Sequence, residues 1–360
     1  MRPWEMNIRR VVPYVPGDQP AGDKLIKLNT NENPYPPAPG VERALKEMDV
    51  DRLRKYPDPS SAELVKALAE YYGVGEDQEF VGVGSDDVIA MSFLTFFNSQ
   101  KPVLFPDITY SFYKVWADLY RISYETPALD ENMAIRPLDY KGENGGIIFP
   151  NPNAPTGVYM PLDQVEEIVK ANQDVIVIVD EAYIDFAGPS ARELLSGYDN
   201  LLVVQTFSKS RSMAGVRIGF ALGSPVLIKA LNDVKYSYNS YTMNLPSQLA
   251  GTQAVKDRAY FEETRAKIMD TRERAKKRFA ELGFTFPDSM TNFILVTHER
   301  VPARAIFDAL KKERIYVRYF NAPRLDNSLR VSIGTDEEMD ALFRFLEQYL
   351  KEWKPAGDSE

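Results

Sequence analysis

Four short stretches carry residue types that could do chemistry. In QTFSKSRSMAGVRIGF (205–220) an apolar run stops at Ser208-Lys209, and Arg217 follows eight positions after the lysine. These are either two unrelated solvated cations, or an amine that does covalent work beside an arginine that holds an anion. A free lysine has a pKa of about 10.4, so roughly one in 2,500 is neutral at pH 7. Covalent work needs the neutral amine, which burial or an existing imine supplies. VIVIVDEAY places Asp180 at the end of an apolar run. A buried carboxylate needs a partner, which is either a structural arginine or a protonated ring nitrogen. GVGSDD (82–87) reads as a strand, a glycine turn and a helix start. That arrangement offers free N–H groups to an anion, or Ser85 and Asp86 serve only as a cap and a first-turn acid. NPNAPTG (151–157) is either an ordinary turn or a rigid loop that holds Asn153 toward a ligand.

A scaffold must bring these ends together. Short apolar runs at 79–84, 102–106, 122–127, 145–150, 175–180, 201–207 and 217–223 alternate with helical stretches near 86–98, 110–119, 162–171 and 225–235. Continuous Val/Ile runs joined by helices predict a mostly parallel sheet covered on both faces, an α/β domain. Ligands of such sheets sit beyond the carboxyl ends of the strands, where all four stretches lie. Helices are expected near Val41 and Ser61. After about residue 255 the rhythm changes to a long charged helix (257–281), strands at 292–297, 315–320 and 329–334, and helices near 303–313 and 336–352. The Pro- and Asn-rich residues 1 to about 40 read as an ordered arm.

The 360 residues carry 43 basic and 52 acidic side chains, a net charge of −9. That balance argues against nucleic acid as the partner. With no cysteine, thiolate catalysis, disulfides and Cys-ligated metals are excluded. The single histidine, His298, ends the apolar run FILVTH and is expected at a strand end; no metal site is expected. No apolar run approaches the roughly 18 residues that span a membrane, and the N-terminus lacks a signal-peptide core, so a cytoplasmic location is expected.

NPNAPTG, VDEAYIDF, TFSKSRSMAGVRIG and LRVSIGT stand in the order and approximate spacing of the fold-type-I pyridoxal-phosphate-dependent aminotransferases. The chain resembles that group, the aspartate aminotransferase superfamily, over nearly its whole length. Within it, LNTNENPYPPAP, RKYPDP and TYSFY are similar to the histidinol-phosphate aminotransferases. The resemblance implies the pyridoxal-phosphate-dependent transferase fold, α/β, with a large, mostly parallel seven-stranded sheet domain and a smaller α+β domain. The expected division is an N-terminal arm (1–40) that joins the small domain and a dimer partner, a large cofactor-binding domain (41–255), a small C-terminal domain (256–354) and a polar tail (355–360).

By the same resemblance the cofactor is pyridoxal 5'-phosphate. Lys209 condenses with its aldehyde and moves the proton at the substrate Cα. Asp180 pairs with the ring nitrogen, Tyr183 bonds the ring oxygen, and Tyr110 stacks on the ring. Ser85, Asp86, Ser208 and Arg217 hold the phosphate, and Tyr56 reaches it from the neighbouring subunit of a homodimer with shared sites. Asn153 contacts the cofactor. Many relatives carry a second Asn in this loop where Ala154 stands here, so Asn153 substitutes or the contact is missing. Arg330 holds the substrate carboxylate or phosphate, with Tyr14 and Arg318 as further phosphate contacts, and Asn31, Glu32 and Asn33 close over the substrate. The implied reaction moves the amino group of L-histidinol phosphate to 2-oxoglutarate in a ping-pong cycle, giving imidazole-acetol phosphate and L-glutamate, a step of histidine biosynthesis. An aromatic amino-acid aminotransferase or a threonine-phosphate decarboxylase on the same fold are the alternatives, and a non-catalytic protein that retains the fold is a rival of another class.

Overall fold

The structure, a computed structural model, describes residues 2–14, 17–20, 22 and 25–354; the expected polar tail lies outside them. The strands in chain order are β1 (Ile26–Lys27), β2 (Glu79–Gly82), β3 (Val103–Leu104), β4 (Tyr124–Glu125), β5 (Ile147–Pro150), β6 (Val177–Asp180), β7 (Leu201–Thr206), β8 (Gly219–Gly223), β9 (Phe284–Thr285), β10 (Phe293–His298), β11 (Ile315–Tyr316), β12 (Arg318–Tyr319) and β13 (Leu329–Ser332). The helices are α1 (Pro39–Lys46), α2 (Ala62–Tyr72), α3 (Ser85–Phe96), α4 (Phe112–Tyr120), α5 (Leu162–Ala171), α6 (Pro225–Tyr238), α7 (Leu245–Lys256), α8 (Arg258–Glu281), α9 (Ala303–Lys312) and α10 (Asp336–Glu352).

Seven strands form one sheet in the order β2-β8-β7-β6-β5-β3-β4. Only β8 runs against its neighbours. Successive side chains of a strand point to opposite faces. Phe149, Val177, Val179, Leu201 and Val203 therefore enter one core, while Ile148, Ile178, Leu202 and Val204 enter the core on the other side. Both faces are dry, which is why these strands read as unbroken apolar runs.

The C-terminal residues build a second sheet, β12-β13-β10-β9, over a separate core formed with α8, α9 and α10. The arm is tied to this part: β1 pairs in parallel with β11, and Leu28 is buried in its core. The stretch 315–320, expected as one strand, divides. Ile315 and Tyr316 pair with the arm, whereas Arg318 and Tyr319 pair with β13. His298 ends β10. Its Nδ1 accepts from the amides of Arg300 and Val301 (3.1 Å each), and Nε2 donates to the Leu282 carbonyl at 3.2 Å. Burial lowers its pKa, so it serves as a neutral buried link.

Helix α7 was not legible in the sequence. Its buried residues include Ser247, Gln248, Ala250, Gly251 and Thr252, spread around the helix with no polar face to contrast. A Cβ at Gly251 would lie 2.7 Å from Ile218 Cδ1, so the glycine allows close packing on the residue between Arg217 and β8. The Asn244 side chain, which accepts from Ser247 N, with a proline in the first turn, was the available signal. Among the described residues no helix is long and apolar enough to cross a membrane.

Candidate active site

The carboxyl ends of β2, β5, β6 and β7 open on the same edge of the large sheet. Beyond β2, Gly84 takes φ +87° and turns the chain into α3. A Cβ there would lie 2.4 Å from Arg217 Nη2, and a Cβ at Gly219 would lie 2.2 Å from Ser85 N. The guanidinium and the helix start thus occupy space that only glycine leaves free. The first amides of α3 have no intrahelical acceptor, and with Ser208 Oγ and Arg217 they make a seat for an anion. Arg217, itself at φ +57°, donates from Nη1 to Ala214 O (3.1 Å) and Ser208 Oγ (3.5 Å), and from Nη2 to Asp86 Oδ2 (3.3 Å). Tyr110 Oη donates to Asp86 Oδ1 at 2.7 Å. Ser85, Asp86, Tyr110, Ser208 and Arg217 therefore meet, and Asp86 contributes its carboxylate as well as its amide.

Asp180, the last residue of β6, is buried. Tyr113 Oη donates to Oδ2 at 2.7 Å, and Ala182 N to Oδ1 at 3.2 Å. Burial pushes its pKa up to about 6, against the pull of those hydrogen bonds and of the Lys209 charge. No arginine pairs with it, so the structural alternative left open by the sequence falls away among the described residues. A buried acid held short of full ionisation suits a cationic partner. Tyr113 was missed from the sequence, although it stands in TYSFY beside Tyr110; a second tyrosine three positions on, at helical spacing, was the signal.

Lys209 follows β7 in a loop. Its Nζ donates to Thr30 O at 3.3 Å and lies 5.7 Å from the Tyr183 ring centroid. Tyr183 Oη accepts from Asn31 Nδ2 at 2.9 Å, which leaves its own proton free to donate elsewhere. On the neighbouring position Glu181 is buried on the other face. It accepts from Ser190 Oγ (2.5 Å), Ala191 N (2.6 Å) and Gln205 Nε2 (2.8 Å), and burial raises its pKa to about 7.

The loop after β5 contains cis Asn151-Pro152 and Ala154-Pro155 bonds. Asn153 is buried and fully engaged within the protein: Nδ2 donates to Ile108 O (3.0 Å) and Thr156 Oγ1 (3.1 Å), and Oδ1 accepts from Thr109 Oγ1 (3.1 Å). Ala154 packs in the same apolar cluster as Tyr183.

Arg318 on β12 and Arg330 on β13 are direct cross-strand neighbours. Neither has a carboxylate within ion-pair distance among the described residues. Arg330 donates from Nη2 to Asn29 O at 2.9 Å, while its buried Nε has no partner. Burial lowers its pKa, and the Arg318 charge lowers it further. Like charges directly opposite are unfavourable in a sheet, so this pair suits an anion placed between them. Tyr14 stacks on Phe112 at 4.3 Å, and the Phe112 ring lies 5.5 Å from that of Tyr110.

The arm residues Asn31, Glu32 and Asn33 lie between the two parts. Glu32 accepts from Lys27 Nζ (2.5 and 2.6 Å) and Thr30 Oγ1 (2.7 Å). Burial alone would raise its pKa, but these bonds and the Lys27 charge hold it below the ordinary carboxylate value. Tyr56 stands apart: it is 81% exposed and stacks on Tyr241 at 4.5 Å.

The glycine cradle, the buried Asp180 with no ion-pair partner among the described residues and the half-buried amine of Lys209 fit a phosphorylated pyridine aldehyde. The comparisons agree with that fit. The sequence profile of the family described as aminotransferase class I and II matches residues 23–346. The histidinol-phosphate aminotransferase 1 of Hydrogenovibrio crunogenus is 50% identical over 348 residues, 97% of this chain and 98% of that protein. The histidinol-phosphate aminotransferase of Clostridium acetobutylicum is 50% identical over 336 residues, 93% of this chain and 96% of that one. The crystal structure of the Sinorhizobium meliloti histidinol-phosphate aminotransferase in complex with pyridoxal-5'-phosphate superposes with a TM-score of 0.83 at 25% identity, covering 91% of this chain and 92% of that one.

Proposed function

The chain belongs to the family of class I and II aminotransferases, and on that premise we propose that it is a pyridoxal-phosphate-dependent histidinol-phosphate aminotransferase of histidine biosynthesis. The amino group of L-histidinol phosphate passes to 2-oxoglutarate in two half-reactions, leaving imidazole-acetol phosphate and L-glutamate. Bound pyridoxal phosphate supplies an electron-accepting ring that carries the amino group between the two substrates.

The chain's own residues hold and tune that group. Lys209 Nζ would be the nucleophile toward the aldehyde and the base that moves the proton at the substrate Cα. Asp180 would face the ring nitrogen and keep it protonated. Tyr183 Oη would donate to the ring oxygen, with Asn31 orienting that hydroxyl. The amides of Ser85 and Asp86, Ser208 Oγ and the Arg217 fork would hold the phosphate, and Tyr110 would cover the ring. Asn153 keeps its loop in shape through its three bonds inside the protein, so it supports the cofactor's place from behind rather than replacing the Asn absent at 154. Glu32, kept ionised by Lys27, accepts the imidazole N–H.

The observation that carries the substrate reading is the cross-strand Arg318–Arg330 couple, which has no carboxylate partner among the described residues. Two cations suit a phosphate dianion on the amino donor, and Arg330 alone suffices for a carboxylate on the acceptor. The test is an assay panel with 2-oxoglutarate as acceptor. Histidinol phosphate should be the preferred donor over phenylalanine, and threonine phosphate should release no carbon dioxide. Preference for phenylalanine would overturn the phosphate assignment.

Arg318→Ala gives a finer check. A hydrogen bond to a charged group contributes about 1.5–3 kcal/mol. The KM for histidinol phosphate should therefore rise on the order of 10-fold or more, with the KM for 2-oxoglutarate changing much less; equal changes in both would remove Arg318 from the phosphate seat.

We further read the enzyme as a cytoplasmic homodimer with shared sites. Tyr56 stacks on Tyr241, and both rings are exposed, an aromatic pair that suits contact with a second copy. In that dimer Tyr56 reaches the cofactor phosphate of the neighbouring site. Tyr56→Phe should weaken cofactor retention. Mixed dimers of Tyr56→Phe with Lys209→Ala should regain part of the activity, because one site then combines an intact tyrosine with an intact lysine; absence of rescue would count against sharing.

A further inference from the structure

The arm between Asn29 and Asn33 makes a series of contacts on both sides of the site. On the small-domain side the Leu28 carbonyl accepts from Ser332 N (2.9 Å), Asn31 N donates to Ser332 Oγ (2.8 Å), and Asn31 O accepts from Asn292 Nδ2 (2.9 Å). Asn31 takes φ +56° there, a left-handed conformation that asparagine tolerates. Consecutive carbonyls then serve the two cations of the reaction: Asn29 O accepts from Arg330 and Thr30 O from Lys209 Nζ. Three residues later Asn33 Nδ2 donates to the backbone carbonyls of both Lys209 (3.1 Å) and Ser210 (3.0 Å). Its Oδ1 accepts from Tyr35 N at 3.0 Å, so the amide can point only one way.

Lys209 lies outside any strand or helix, so no ladder holds its carbonyl. The flanking residues are fixed by side chains instead. Ser210 Oγ donates to Asp185, and Arg211, enclosed by the rings of Tyr71, Phe207 and Phe261, donates to Ala254 O at 3.0 Å. Asn33 supplies the bonds made to the lysine's own backbone and the next carbonyl.

Resting on the reading of Lys209 as the reactive amine, we propose that Asn33 is a positioning residue for that lysine and not a contact of the substrate. The two donated bonds set where the Lys209 backbone sits, and through it where Nζ can swing between Thr30 O and the reacting carbon. Because the arm is bonded to β13 and to Arg330, the same segment sets the distance between the anion seat and the amine. A displaced base costs turnover rather than ground-state binding, and a displacement near 1 Å costs up to about 100-fold.

The test uses Asn33→Asp, which keeps the shape and removes both donors, and Asn33→Ala. Steady-state kinetics of the holoenzyme should show kcat lowered about 10- to 100-fold, with the KM values for histidinol phosphate and 2-oxoglutarate within about 3-fold of the parent. In the cofactor-free protein, acetic anhydride labelling of Lys209, read by peptide mass spectrometry against the exposed Lys229, should change severalfold in rate across the pH profile, because the amine is no longer held in one place. A raised KM for histidinol phosphate with kcat retained would make Asn33 a substrate contact and overturn the proposal. So would unchanged kinetics together with an unchanged labelling profile. Failure of the underlying reading looks different: the parent enzyme would transaminate nothing, or Lys209→Ala would stay active.

Discussion

Lys209→Ala is expected to leave no measurable amino transfer and a colourless protein. On the proposed reading the residue has two separate functions: the nucleophile that keeps the cofactor attached, and the base that moves the Cα proton. General acid–base catalysis alone contributes about 100- to 10,000-fold, and the attachment adds to that loss. Spectra of the purified variant between 300 and 500 nm and a steady-state assay read both parts. The fold should survive. Among the described residues the amine makes a single hydrogen bond, to the Thr30 carbonyl, so its removal should change stability by no more than about 3 kcal/mol. A folded, colourless, inactive variant is the expected outcome. A yellow variant that turns over would remove Lys209 from the chemistry, and with it the account of Asp180 and Asn33.

The large sheet was legible in the sequence because burial on both faces fills the middle of its central strands with Val, Ile, Leu and Phe. The runs ending at Asp180 and Thr206 announced themselves, and the polar residues beyond them marked the site. Helix α7 was invisible for the opposite reason. Buried Ser, Gly and Thr give no apolar stripe; their choice follows from tertiary contacts, Gly251 packing on Ile218 and Ser247 Oγ donating to the Val216 carbonyl. Tyr113 illustrates a further limit: local sequence says it belongs to a helix, but not that its hydroxyl reaches a strand end 67 residues on. The Arg318–Arg330 couple depends on register, which no stretch of sequence prints. Glu32 and Asn33 were expected to close over the substrate. Lys27, five residues before Glu32, keeps that carboxylate ionised, while Asn33 bonds the Lys209 loop 176 residues on, a pairing that only the folded arm creates.

Asp180→Asn should make the cofactor-free protein more stable and the enzyme nearly inactive. Burial holds the carboxyl at about 6 instead of its ordinary 3.8. The native state therefore keeps a proton that the unfolded chain has lost, and stability falls as pH rises from about 4 to about 6. Above that range the ionised group costs the cofactor-free protein on the order of 3 kcal/mol. Asparagine carries no charge to bury. Its Oδ1 can still accept from Ala182 N, and its amide can donate to Tyr113 Oη, which rotates to accept. Thermal or urea unfolding of the two cofactor-free proteins should coincide near pH 4 and diverge by pH 7, with Asn the more stable. Glu181, held at about 7, adds its own slope to both proteins, so the difference between them isolates position 180. Activity should move the other way. Without a carboxylate to keep the ring nitrogen protonated, turnover should fall about 100- to 1,000-fold, as for the loss of other preorganised charges. The buried acid is thus a cost to the empty fold that a cationic partner offsets. Parallel unfolding curves across this pH range, or an Asn variant that keeps its rate, would show that the carboxyl at 180 serves neither purpose.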